Sequence, residues 1–339
     1  MATTKIQAAT QTAKRSFSAG SVISAIGRWI VRNRIYLIAF AIPAVLTYLA
    51  YALFGLYPFG EESVLCLDLN GQYVYYFEAL RDAFWGDGSI FYNWSRNLSG
   101  EFMGIIGYYL ASPFTLIVML LPEKFMLSSL LIMQLCKLGA AGATFNYFLQ
   151  KRRGVQPYPS LLFSTMYAMM AYGVIQLIDP MWLDGLVFLP LIMLGIEYLV
   201  DDGRRLNFII PLALMCVANF YIGYMICFFV ILYFLFYLCF GSDKKRKGYD
   251  YFTAFVRIAY SSVIALACAA FMLLPVYNAL KLGKFEFTDP DYSFRFQSFP
   301  LSKKLLENAQ DSPLLVFLCD LLDMFPQLLP AQYDSVNVQ

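Results

Sequence analysis

The stretch LNFIIPLALMCVANFYIGYMICFFVILYFLFYLCFGS, residues 206–242, runs for 37 positions without a charge and decides the fold. A helix needs about 20 apolar residues to cross a bilayer, so this run is too long for one ordinary crossing. It is bounded by Arg204-Arg205 on one side and Lys244-Lys245-Arg246-Lys247 on the other. Basic clusters next to membrane spans stay in the cytoplasm, so both ends lie on the same side and the run must turn back on itself. The turn is expected near Asn219-Phe220-Tyr221-Ile222-Gly223, where amide, glycine and aromatic residues interrupt the aliphatic pattern. At about 1.5 Å per residue, two helices of some 17 residues each would barely span the hydrocarbon.

Outward from this run the pattern repeats. Uncharged stretches cover 35–60, 102–122, 154–178 and 258–280, and two further apolar segments, 125–150 and 184–200, carry one internal charge each, Lys137 and Glu197. These imply an all-α, polytopic transmembrane helical bundle of about seven or eight membrane helices. The composition agrees: 60% of residues are hydrophobic and 14% charged, well below the roughly 25% charge of soluble domains. Mean hydropathy is +0.59. The chain contains no histidine, which removes Ser-His-Asp and Cys-His catalysis and histidine-containing zinc sites, leaving carboxylates, Lys, Arg, Tyr and backbone for any chemistry. The seven cysteines include no C-x-x-C pair and imply neither a metal nor a disulfide framework.

Charge sets the expected orientation. Lys5, Lys14, Arg15, Arg28, Arg32 and Arg34 occupy the first 34 residues without an acid, which makes 1–34 a cytoplasmic basic leader. A signal peptide cleaved near Ala50-Tyr51-Ala52 competes with this reading, but the long charged leader and the following spans favour an uncleaved anchor in a multi-pass protein of the bacterial plasma membrane. Residues 35–280 form the transmembrane module, with a long outer loop at 56–101; Lys151-Arg152-Arg153 returns to the inside. The two apolar segments between that loop and residue 151 make the number of crossings even where it should be odd. Residues 105–121, interrupted by Pro113, are therefore expected to be interfacial or re-entrant. Residues 281–339 form a polar outer segment with an amphipathic stretch at 314–329, and its polar end leads us to expect the N-terminal part of a longer protein.

The outer loop is about 45 residues, longer than a connection requires. From Asn70 to Trp85, Tyr73, Phe77, Leu80 and Phe84 recur at helical spacing, so an amphipathic helix lying on the membrane surface is expected. The plain alternative is an aromatic belt with solvated charges. Asp68 in this loop and Asp184 at the outer end of a later span would face the same compartment, where two carboxylates can hold a divalent cation such as Mg or Mn, or divide base and electrostatic roles. Lys137 lies within an apolar helix, where a cation is costly unless paired; it is expected to meet an anionic head group or a carboxylate, with snorkelling as the structural alternative.

The segments G-E-E-S-V-L-C-L-D-L-N-G-Q-Y (60–73), N-W-S-R-N-L-S-G (93–100), Y-Y-L-A-S-P-F (108–114), Y-A-M-M-A-Y-G (167–173), W-L-D (182–184), L-P-L-I-M-L-G-I-E (189–197) and N-F-Y-I-G-Y-M (219–225) together resemble the bacterial YfhO family of multispanning membrane proteins. That resemblance implies a GT-C-like glycosyltransferase, which would move a sugar from a polyprenyl-phosphate donor to a cell-wall polymer such as teichoic acid on the outer face. It implies Asp68 as the first-loop acid in a D-x-x-x-Q-Y setting with Gln72 and Tyr73, and Asp184 as the second acid, with Asp179 the alternate. Lys137, Arg81 and Arg96 would meet the donor phosphate, and Glu62, Asn219 and Tyr221 would support the site. The expected partners are the bilayer, the lipid-linked sugar and the wall polymer, with no nucleic acid. A transporter or lipid flippase, using Lys137, Glu197 and the break at 219–223, and a non-catalytic envelope scaffold are the competing readings.

Overall fold

The computed structural model describes residues 19–94, 100–242 and 248–281. The basic leader up to residue 18, Arg96, the cluster 244–247 and the outer segment from residue 282 onward lie outside the described residues. The described part is helical: α1 (Ala19–Leu53), α2 (Val74–Trp85), α3 (Met126–Arg153), α4 (Pro157–Ala168), α5 (Leu183–Asp202), α6 (Leu206–Ala218), α7 (Phe220–Phe236) and α8 (Gly248–Leu280). A two-residue antiparallel ladder pairs Tyr92 with Glu101 and Asn93 with Gly100.

Five helical stretches are long and apolar enough to cross a membrane: Ile23–Leu53, Glu123–Arg153, Pro180–Asp202, Phe220–Gly241 and Gly248–Leu280. The chain is thus an all-α, multi-pass membrane bundle, with fewer full-length crossings than hydropathy alone suggests. Residues 154–178 account for part of the difference. They form the 12-residue α4, a turn at Met169–Met170 and the short helix Ala171–Ile175, and neither helix alone can span. Residues 105–121 are divided too, into the π-turn Ile106–Leu110 and the six-residue helix Thr115–Leu120, as expected for a segment that does not cross.

Asn219 makes the break in the uncharged run. Its extended backbone ends α6, and its side chain accepts the Ile222 N–H at 2.8 Å to cap α7. α5 stops at Gly203, whose φ of +71° is open to glycine and whose N–H reaches back to Leu199 O. Helices approach closely at small residues. A Cβ on Gly142 would lie 2.5 Å from Ala39 O, and one on Gly195 would lie 2.4 Å from Asn207 O, so α1 meets α3 and α5 meets α6 through bare backbone.

The buried apolar residues fall into clusters. One joins α5, α6, α7 and α8 through Ile192, Ile196, Phe208, Met215, Ile258 and Ala265. A second gathers Leu69, Tyr73, Phe77, Phe102, Met133 and Val276. Its members come from the first half of α3, the start of α5 and the second half of α8. It therefore marks one end of the bundle, opposite the ends that carry residues 151–153 and 204–205. The amphipathic face in the first loop is real at Tyr73, Phe77 and Leu80, but it is buried in this protein core and not laid on lipid. Phe84, expected on the same face, is 62% exposed.

Candidate functional site

Above this second cluster the chain places Asp68, Gln72, Tyr73, Tyr76, Tyr108, Tyr109 and Asp179 together. Asp68 is exposed and immediately precedes the π-turn Leu69–Tyr73. The residue before it, Leu67, has φ +48°, a left-handed conformation that costs a non-glycine residue about 1–2 kcal/mol. The wider π-turn brings Gln72 under the carboxylate, and its Nε2 donates to Asp68 Oδ1 at 3.2 Å. Gln72 Oε1 in turn accepts the Tyr109 hydroxyl at 2.9 Å. Asp68, Gln72 and Tyr109 thus form one hydrogen-bonded chain, and the four-residue spacing of D-x-x-x-Q is what a helical turn needs to close it. Tyr109 packs edge-on against Tyr73 and Tyr108 and at a tilt against Tyr76, and Tyr108 continues to Phe220 and Tyr221.

Asp179 completes the group. Burial raises its carboxyl above the usual carboxylate range, and the charge of Asp68 adds to that, opposed by Tyr73. Burial likewise raises Tyr73, with Asp179 as the next cause. Burial pushes Tyr109 up to about 12, followed by Tyr76, Tyr108, Asp68 and Asp179. Although they face each other, neither Tyr73 Oη nor Asp179 Oδ1 completes a hydrogen bond of ordinary geometry among the described residues, and both atoms are buried. A buried carboxylate oxygen whose one donor is poorly aligned is costly, and a ligand cation or hydroxyl would satisfy it.

The second acid named from the sequence stands elsewhere. Asp184 is wholly buried on α5; its Oδ2 is 2.8 Å from Lys137 Nζ, and its Oδ1 accepts the Ser112 hydroxyl at 2.8 Å. Asp184 does not meet Asp68, as the expected pair of carboxylates would require; the acid whose charge Asp68 reaches is Asp179. Lys137 also donates to Pro180 O at 2.8 Å and sits over the Phe114 ring. With its donors committed inside the bundle, it takes the carboxylate-pairing role and has no access to a phosphate. The arrangement is nonetheless connected to the site: Pro180 follows Asp179, and Ser112 follows the Tyr108-Tyr109 pair. The buried ion pair therefore positions both walls of the cluster.

Arg81 is committed as well. Its Nη1 bonds the carbonyls of Val118, Met119 and Leu121, closing the end of the helix Thr115–Leu120, and so it is a structural cap and not a phosphate ligand. Arg96 lies outside the described residues. Glu62 is exposed, and its backbone pairs with Leu56 and Tyr57, away from the Asp68 and Asp179 cluster. Asn219 ties the α6–α7 break to the site by donating from Nδ2 to Tyr108 O at 2.8 Å, and Tyr221 packs on Tyr108 and Trp182. Tyr108, Tyr109 and Ser112 had no assigned role in the sequence reading. The signal was the Tyr-Tyr pair four residues ahead of Pro113, where a broken helix must present side chains to a neighbour.

Among the described residues no three His, Cys, Asp or Glu side chains converge as a metal site. Two carboxylates with one unpartnered oxygen still suit Mg, which typically binds through one or two carboxylates and completes its shell with water and substrate phosphate.

Comparison with known proteins identifies the family. The family described as "Bacterial membrane protein YfhO" matches residues 39–308. One curated relative, named "Uncharacterized protein YfhO", from Bacillus subtilis (strain 168), is 27% identical over 168 residues, covering 44% of this chain. The match covers 19% of that protein. No solved structure matches the chain.

Proposed function

This chain belongs to the YfhO family of bacterial membrane proteins, and we propose that it contributes the acidic site of a membrane glycosyltransferase that uses a polyprenyl-phosphate sugar and an envelope acceptor. The observation that carries this reading is the Asp68 and Asp179 pair at one end of the bundle, ringed by tyrosines, with a buried Asp179 oxygen that only the poorly aligned Tyr73 hydroxyl faces. The positive-inside rule puts that end outside the cytoplasm, since it is opposite residues 151–153 and 204–205.

In the proposed reaction an acceptor hydroxyl attacks the anomeric carbon of the donor. The bond from that carbon to the phosphate oxygen breaks, and the polyprenyl phosphate leaves with both electrons. Asp68 takes the acceptor proton; it is exposed and is oriented by Gln72. Asp179 sits deeper, where its carboxylate can hold a divalent cation. When bound, such a cation would offset the charge that develops on the departing phosphate. Tyr76, Tyr108 and Tyr109 offer ring faces and hydroxyls to a sugar, the mixture of apolar body and polar tip suited to such contacts. A transport path would have drawn on Lys137, Glu197 and the Asn219 break. Lys137 and Glu197 are instead paired, the latter with Arg152 and Arg153, and Asn219 is hydrogen-bonded on both sides.

The test is whether the purified full-length protein moves a labelled sugar from polyprenyl phosphate to a wall polymer, and whether Asp68→Asn and Asp179→Asn each abolish this while Glu62→Gln does not. Transfer that survives both aspartate substitutions would remove the basis of the proposal.

A further inference from the structure

At the opposite end of the bundle α3, α5 and α6 leave a groove open to the lipid. Its floor is formed by Leu191, Leu194, Ile210 and Pro211, with Tyr147, Leu206 and Asn207 toward one end, and it encloses about 240 Å³. That is below the roughly 300–1,000 Å³ of a compact small-molecule site, so it suits a length of hydrocarbon chain and not a whole ligand.

The groove changes character along its length. On α3, Tyr147 is followed one turn later by Lys151, whose Nζ lies 5.9 Å from the Tyr147 ring. On α5, Leu191 and Leu194 are followed on the same face by Tyr198, and the Arg204 guanidinium lies 5.3 Å from that ring. Leu206 begins α6 directly after Arg205. Tyr36 of α1 closes the same end, edge-on to Tyr147 at 5.5 Å. α5 thus runs from aliphatic to tyrosine to cation, and the Tyr147 and Lys151 pair of α3 and the Leu206 start of α6 after Arg205 put the same polar end beside it, the order of an acyl chain, an interface and a head group.

The charge at this end is not cancelled. Residues 151, 152, 153, 204 and 205 are basic, and 197, 201 and 202 are acidic, giving five against three. Glu197 and Asp201 are taken by Arg152 and Arg153, with Tyr233 and Tyr237 completing the network. Asp202 approaches Arg204 only at 3.9 Å, with both side chains substantially exposed, an arrangement worth little in water. Lys151 and Arg204, each over a tyrosine at this end of the groove, therefore bring net positive charge to its mouth, whereas Arg205 turns to the Tyr260 ring of α8 at 5.6 Å.

We propose that this groove binds an anionic glycerophospholipid of the leaflet at the basic end, with one acyl chain along Leu191 and Leu194 and the phosphate between Lys151 and Arg204. Basic pockets between membrane helices are where anionic head groups are held, at about one order of magnitude or less per cation. The proposal is independent of sugar transfer.

The experiment uses the full chain in nanodiscs and measures retention of phosphatidylglycerol, phosphatidylcholine and polyprenyl phosphate by native mass spectrometry. Phosphatidylglycerol should be retained preferentially. Lys151→Gln with Arg204→Gln should weaken its retention about 30-fold, from the charge of two cations, while Lys124→Gln, just before α3 at the other end of the bundle, should leave it unchanged. Leu194→Trp, which fills the groove without touching the charges, should remove the preference in a protein that still elutes as a single species. Equal retention of phosphatidylcholine, a stronger preference for polyprenyl phosphate, or retention unchanged in both the charge variant and Leu194→Trp would overturn the assignment.

Discussion

Lys137→Met is the substitution that most sharply separates the architecture from the chemistry. In the folded protein Lys137 Nζ holds Asp184 Oδ2 at 2.8 Å and Pro180 O at 2.8 Å, and the two charged side chains are 2% and 0% exposed. Removing the ammonium strands a wholly buried carboxylate, and breaking one side of such a buried pair costs about 3–5 kcal/mol. Pro180 O loses its donor in the same step, so the cost belongs at the upper part of that range. Lys137→Met with Asp184→Leu removes both charges and fills the space with apolar atoms, and this should return stability to within about 1–2 kcal/mol of wild type, the residue being the unpartnered Ser112 hydroxyl and Pro180 carbonyl. The proposed transfer should not return with it, because the Pro180 carbonyl next to Asp179 would still lack the ammonium that holds it. The assay is denaturant unfolding in detergent, followed by tryptophan fluorescence and paired with sugar-transfer rates. Lys137→Met within about 1 kcal/mol of wild type, or a double variant as unstable as the sum of its parts, would refute the pairing argument.

Four further outcomes follow from the same geometry. The folded Asp179 binds its proton more tightly than the unfolded chain does; its contribution to stability is therefore full below pH 3.8 and lost as pH rises through the raised value, so Asp179→Asn should be more stable than wild type at neutral pH in thermal unfolding while failing to transfer sugar. Added Mg should stabilise the wild type against heat and leave Asp179→Asn unmoved, and an equal effect on both would exclude Asp179 as a cation ligand. Tyr109→Phe removes one neutral hydrogen bond to Gln72 and should cost about 1 kcal/mol, with a larger fall in transfer than in stability as Asp68 loses its orientation, to be read from kcat against unfolding free energy. Gly195→Ala places a methyl carbon against backbone that cannot yield and should destabilise by about 1–3 kcal/mol, measured by the same denaturant titration.

Sequence reveals a membrane protein through periods and charges, and it does so unevenly. The Asn219 break was legible because two basic flanks forced an uncharged run to return, and the Asp68 to Gln72 spacing was legible because it is one helical turn. The choice between Asp179 and Asp184 was not, since both lie near one span end. The discriminating signal is physical: Asp184 follows Leu183 within the apolar run of α5, where an acid must find a cation, and Lys137 is a lone cation in the apolar half of α3. Asp179, just before Pro180, stands outside the run and is free to act. Arg81 misled for the opposite reason. A helix of six residues leaves most of its carbonyls unpaired, and which arginine satisfies them depends on a contact 40 positions away.

The uneven division of the broken run has a consequence for depth. α6 has 13 residues and therefore rises about 20 Å, whereas the stretch Phe220–Gly241 has 22 and rises about 33 Å. With Arg205 held at the head groups, Asn219 lies about 10 Å short of the far edge of a hydrocarbon core roughly 30 Å thick. The polar floor of the tyrosine cluster, fixed to Asn219 through Tyr108, is thus sunk beneath the lipid surface. A lipid head group would reach it by moving sideways, and bilayer thickness becomes a variable of the proposed transfer: shorter acyl chains narrow the mismatch over α6 and bring the floor toward water, while longer ones bury it.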